Sequence, residues 1–205
     1  MLRLLIKPPG ANSIYLPDSL YMFKDFILNN INYHANFFDI KNEFFCYLTV
    51  RVSNYKNLFY KNSMEWHIDG FQGNRIPRHK VEQNIFWLNK SPTQFLLQPM
   101  YCEGLNPSKH DINNFFEKEA DERFVFEIKE KALYMINPYN IHRVNKNKFS
   151  GKRIFLRLNF SPVLIEDNTN TQNPKVVYNF KNRVAVRNFL SEYKVNEKPN
   201  SGFKF

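Results

Sequence analysis

The sequence predicts a single, mainly β domain with flanking helices, closed as a sandwich or barrel. From Phe44 onward, short runs of aromatic and β-branched residues alternate with turn-forming segments, the pattern of a many-stranded β fold. Aromatic residues make up 17% of the chain, with 21 Phe and 11 Tyr, so large rings can fill a core between sheets. A length of 205 residues suits one domain, and no fixed-period repeat breaks it up.

The elements follow in order. Asp18-Ser19 is placed to cap a helix whose apolar residues Leu20, Phe23, Ile27 and Ile31 recur at helical spacing. Phe44 to Val52 reads as the first long strand, and Glu65 to Ile68, Asn84 to Leu88, Gln94 to Gln98 and Phe124 to Lys129 as further ones. A helix is expected over Asp111 to Asp121, then strands at Ala132 to Ile136, at His142 and at Arg153 to Phe160. The domain is read as 1–166. From Asp167 the chain turns polar and then basic, so 167–205 is read as an extension packed on the domain or trailing from it. The apolar start, Met1 to Ile6, is broken by Arg3 and ended by Lys7-Pro8-Pro9-Gly10, short of a signal-peptide core, and no run of about 18 apolar residues occurs. Two cysteines, Cys46 and Cys102, exclude a thiolate metal centre and a disulfide scaffold, so the expected address is cytoplasmic, with no membrane partner.

Chemistry gathers on few residues. In Trp66-His67-Ile68-Asp69-Gly70, His67 and Asp69 stand two apart on a strand-like run, so both point to one face and can share a metal ion. His142, at the start of a later short strand after the Asn137-Pro138 turn, offers a second imidazole. Two His and one carboxylate suit a facial Fe(II) site with open positions, and equally a tetrahedral zinc site with one water. The strand from Arg153 to Phe160 bears on that choice. Arg153, Phe155, Arg157 and Asn159 share one face, and a guanidinium among aromatics on an inner face requires an anion. A dicarboxylic co-substrate held two-pronged by Arg, its keto-acid end left to chelate iron, meets that requirement.

His67-x-Asp69, His142 and Arg153, in that order along a barrel-like strand pattern, resemble the Fe(II)/2-oxoglutarate-dependent dioxygenase superfamily. The likeness runs from about Trp66 to Phe160. It implies a double-stranded β-helix (jelly-roll, cupin-like), with Fe(II) held by His67, Asp69 and His142 and O2 as oxidant. It also implies 2-oxoglutarate held through its far carboxylate by Arg153, with Arg157 as the alternate. By likeness to the taurine dioxygenase type, Thr93 in Ser91-Pro92-Thr93 would touch the same co-substrate. Trp66 to Gly73, Pro92-Thr93-x-Phe95 and Phe155 to Ser161 are further similar to uncharacterised oxygenase-like proteins of phages and bacteria. Halogenating members of the superfamily replace the carboxylate, and Asp69 is intact. Hydroxylation or oxidative demethylation with release of succinate and CO2 is therefore the implied reaction.

The other candidates have plainer readings. His34, His79 and His110 are expected at the surface, and Trp66 and Trp87 in the core or a pocket wall. Arg75, Arg78 and Lys80, with Gly70, Gly73 and Pro77, suit either a basic lid or a solvated loop. The net charge of +10 is concentrated in the C-terminal third, which fits an anionic prime substrate and does not by itself select nucleic acid, for which no binding motif is present. Two function classes stand against each other: the oxygenase, and a non-catalytic binding module of the same fold for nucleic acid or another polyanion.

Overall fold

The computed structural model describes residues 2–38, 43–53, 65–69, 83–106, 110–145, 151–162, 164–165 and 170–176. In chain order the strands are β1 (Leu4–Lys7), β2 (Phe45–Ser53), β3 (Gln83–Leu88), β4 (Thr93–Leu96), β5 (Val125–Glu127), β6 (Leu133–Ile136), β7 (His142–Val144) and β8 (Arg153–Ser161). Helix α1 (Lys24–Phe37) follows β1, and α2 (Ile112–Glu119) follows β4. The strands form two antiparallel sheets, the larger in the order β1-β2-β8-β3-β6 and the smaller β5-β4-β7.

β8 is the spine of the larger sheet, paired along one edge with β2 and along the other with β3. Its side chains alternate. Leu158 and Phe160 join Cys46, Leu48 and Ile85 in a cluster closed by Ile27 and Ile31 of α1. Phe155 turns the other way, into a cluster with Phe86, Leu88, Phe95 and Ile128. Phe95 belongs to β4, so this second cluster joins the two sheets, and the face of β8 carrying Arg153, Phe155, Arg157 and Asn159 is directed between them. On the far side of the smaller sheet, Ile112 and Phe116 of α2 pack with Leu96, Trp66 and Ile68. The α2 start is capped by the Asp111 carboxylate, which accepts from Asn114 N–H at 3.1 Å.

The first helix starts differently from expectation. Asp18 to Phe23 form a 3₁₀ turn that runs into α1, and neither Asp18 nor Ser19 caps it through its side chain. The Asp18 carboxylate accepts instead from Lys175 Nζ, at 2.6 Å. β1 lies in the apolar run read only as too short for a leader. Its four residues are all buried, since Leu4 and Ile6 face α1 while Leu5 packs with Phe45 and Tyr47 under Leu164, Ile165 and Val176. The segment 170–176 ties this edge down: Asn173 donates to the carbonyls of Leu5 and Tyr15, both at 2.8 Å, and Thr171 N–H to that of Leu2. The rest of the basic extension, 177–205, and the glycine- and arginine-containing segment from Gly70 to Lys80, with His79, lie outside the described residues. Among the described residues no helix is long and apolar enough to cross a membrane.

His34, expected at the surface, is buried in α1 at 1% exposure, while His110 is exposed. The His34 ring stacks on Phe160 at 3.7 Å between centroids, edge-on to Phe44, and neither ring nitrogen has a hydrogen-bond partner. Helical spacing from Ile27 and Ile31 puts this position on the core face, and the imidazole serves there as a flat apolar filler. Burial pulls its pKa down to about 4. The unfolded chain then takes up a proton near pH 6.5 that the native state refuses until about pH 4, so stability is full above pH 6.5 and falls as pH drops between those values. His34→Phe should remove this dependence. Urea unfolding at pH 7 and pH 5 is expected to show the wild type losing about 2 kcal/mol more than the variant between the two, and equal losses would contradict the assignment.

Candidate metal centre

Residues 65–69 run alongside β7. The expected strand from Glu65 to Ile68 is reduced to a single antiparallel bridge, in which His67 and His142 exchange N–H to carbonyl bonds of 3.0 and 2.9 Å. On the edge of the segment turned away from β7, Trp66 N–H donates to a Glu117 carboxylate oxygen of α2, at 2.6 Å. Alternation nevertheless holds across the segment. Trp66 and Ile68 enter the cluster under α2, and His67 and Asp69 point to the opposite, inner side.

There His67, Asp69 and His142 converge, each offering one ligand atom, all within 4.8 Å of one another. The imidazoles lie 4.4 Å apart between centroids, tilted by 51°. His67 Nδ1 lies 2.8 Å from the Glu65 carbonyl, and His142 Nδ1 lies 2.8 Å from that of Asn140. A carbonyl only accepts, so each Nδ1 must carry the proton and each Nε2 keeps its lone pair for a metal. Burial holds the His142 pKa below the ordinary imidazole value, against the pull of Asp69, which keeps this ligand neutral. For Asp69, burial alone would raise the pKa, but Arg157, then His142, His67 and Arg3 outweigh it and hold the carboxyl at about 2. Two imidazoles and one carboxylate are a donor set for a divalent first-row ion, which side-chain adjustments would bring to bonds of ~2.0–2.2 Å.

The two arginines of β8 part company. Arg157 Nη1 donates to Asp69 Oδ2 at 2.8 Å, so this side chain orients the candidate carboxylate directly, and its Nε is buried without an acceptor among the described residues. Arg153 lies two inward positions along the strand, roughly 13 Å away at about 3.3 Å per residue. It is only 6% exposed, packs against the Phe155 ring at 5.1 Å and donates from Nε to the Ser91 carbonyl at 3.3 Å. Burial, and then Arg51, lower its pKa, and no carboxylate among the described residues pairs with it.

Thr93 is buried at the start of β4, opposite Val144. The residue that meets Arg153, however, is Ser91. It is fully buried in a left-handed conformation with φ of 59°, its N–H is held by Glu130, and its Oγ has no partner. The backbone conformation that turns Ser91 toward β8 leaves no trace in the sequence beyond a hydroxyl residue before Pro92. Trp66 is core, and Trp87 flanks a small apolar groove against Phe23 and Phe26.

Comparison with protein-family models, with curated proteins and with solved structures gave no match.

Proposed function

We propose that this chain is a non-haem Fe(II)- and 2-oxoglutarate-dependent oxygenase of the double-stranded β-helix (jelly-roll, cupin-like) class, hydroxylating or oxidatively demethylating an anionic prime substrate. The supporting observation is the placement of buried polar groups whose pairing is incomplete among the described residues. Arg157, its Nε without a partner, lies on Asp69, and two inward positions along the same strand Arg153 is buried without a carboxylate partner among the described residues, against Ser91, whose Oγ has no partner. A buried cation without an anion is costly, and so is an unmade buried hydrogen bond. A bound dicarboxylate would relieve both. A purely structural metal site, closed by four protein ligands, leaves these groups unexplained.

When bound, iron and 2-oxoglutarate would supply the activation of O2 and the oxidation of a C–H bond, with succinate and CO2 as co-products. The chain's own part is to bind and orient. His67 and His142 would present Nε2, with their Nδ1 protons fixed on backbone carbonyls. Asp69 would give one carboxylate oxygen to the metal while Arg157 keeps it ionised and aimed. Arg153 and Ser91 would take the far carboxylate of the co-substrate. Phe86, Phe95 and Phe155 line the junction of the sheets and exclude water from it.

The test is succinate formation by full-length protein loaded anaerobically with Fe(II), then exposed to oxygen with 2-oxoglutarate and no prime substrate. Slow succinate release requiring both iron and 2-oxoglutarate is expected. Metal binding without succinate, and without any titratable affinity for 2-oxoglutarate, would overturn the oxygenase reading in favour of a zinc site or a non-catalytic module.

A further inference from the structure

We propose that Arg143 is a positioning residue: it clasps Trp66 on the outer face of the smaller sheet and thereby sets the spacing of His67 and His142 on the inner face. The inference rests on the metal-site reading and adds a residue that touches neither the ion nor a substrate. Trp66 immediately precedes one imidazole ligand and Arg143 immediately follows the other, so strand alternation sends this pair to the side opposite the ligands. On that side the Arg143 guanidinium carbon lies 4.1 Å from the Trp66 ring centroid.

A second tie is needed there. The ligand-bearing segment meets β7 through one isolated bridge, and a bridge leaves its two strands free to hinge about it. The clasp closes that hinge from behind. Both its halves are themselves held: Arg143 Nε donates to Gln94 Oε1 of β4 at 2.8 Å and Nη2 to Glu122 Oε2 at 2.8 Å, while Trp66 is 1% exposed with its N–H on Glu117. A planar guanidinium can stack on an indole and still donate sideways in two directions. An ammonium cannot do both.

Co(II) is the probe, titrated into the full chain without 2-oxoglutarate, with affinity and the visible absorption bands as readouts and urea unfolding of the metal-free protein alongside. Arg143→Met is expected to weaken Co(II) binding at least tenfold, the equivalent of 1.4 kcal/mol, and to alter the bands, which report ligand geometry. Arg143→Lys should fall between it and wild type. It carries the comparison if the Met variant does not fold. Ile27→Ala, which opens the cluster under α1 and touches neither half of the clasp, should lower metal-free stability yet leave the bands unchanged. Wild-type affinity and bands in the Arg143 variants would overturn the proposal, as would an equal loss of affinity in Ile27→Ala. Failure of the wild-type chain to bind Co(II) removes the metal reading itself, a result read before any variant is compared.

Discussion

Asp69→Ala and His67→Ala are each expected to abolish 2-oxoglutarate-dependent succinate formation and to weaken divalent metal binding by at least ~100-fold, more than the ~10–100-fold that losing a ligand's hydrogen-bond partner costs. The two should differ in the metal-free protein. Among the described residues the His67 side chain hydrogen-bonds to the Glu65 carbonyl two residues away and to no other group, so its removal costs the fold little. Asp69 is the partner of Arg157, whose side chain is only 16% exposed, and removing the carboxylate leaves that cation without its acceptor. Asp69→Ala should therefore lower metal-free stability by about 1 kcal/mol more than His67→Ala, measured by urea unfolding with a chelator present. Turnover like wild type in either variant would reject the ligand assignment. Equal stability of the two would reject the role given to Arg157.

Arg153 leads to an effect of opposite sign in the two states of the protein. Without co-substrate, its buried guanidinium sits against Phe155 and a carbonyl with no carboxylate partner among the described residues, so Arg153→Met should leave the protein as stable as wild type or more stable. With 2-oxoglutarate, the order reverses. The wild type should gain thermal stability on adding 2-oxoglutarate with Mn(II) under nitrogen, and Arg153→Met should gain none. Arg153→Lys keeps the charge but loses the two-pronged geometry, and should raise the dissociation constant by a factor of at least ~10. Ser91→Ala should raise it by about threefold to tenfold, in keeping with one lost hydrogen bond. If calorimetric titration finds Arg157→Lys more damaging to 2-oxoglutarate than Arg153→Lys, the two arginines have exchanged roles.

Much of this arrangement is legible in the residues, and the parts that are not have identifiable causes. β2, β3, β6 and β8 announce themselves because their apolar and β-branched runs are long enough to show strand periodicity. The i, i+2 rule suffices to put His67 with Asp69, and Arg153 with Arg157, on common faces. β1 is hidden because both of its faces are covered, so it shows no alternation, and because the segment that covers it comes from residues 164–176 at the other end of the domain. His34 misleads because a histidine's usual preference for water is overridden by the ring stack available on Phe160. The division of labour between Arg153 and Arg157 follows from where Asp69 ends up, and that depends on a bridge between segments distant in sequence. Ser91 requires knowledge of a backbone angle.

The alternation of residues 65–69 bears on how such a centre can change over evolutionary time. Trp66 and Ile68 are anchored beneath α2, which indexes His67 and Asp69 inward as teeth fix the position of a rack. Shifting the segment by one residue would push an indole into the ligand space and two polar groups into an apolar cluster, so intermediate registers are barred. Insertions or deletions in the sequence on either side can then accumulate without dragging the ligands along. A protein built this way can change the lengths of its neighbouring segments while His67 and Asp69 stay indexed.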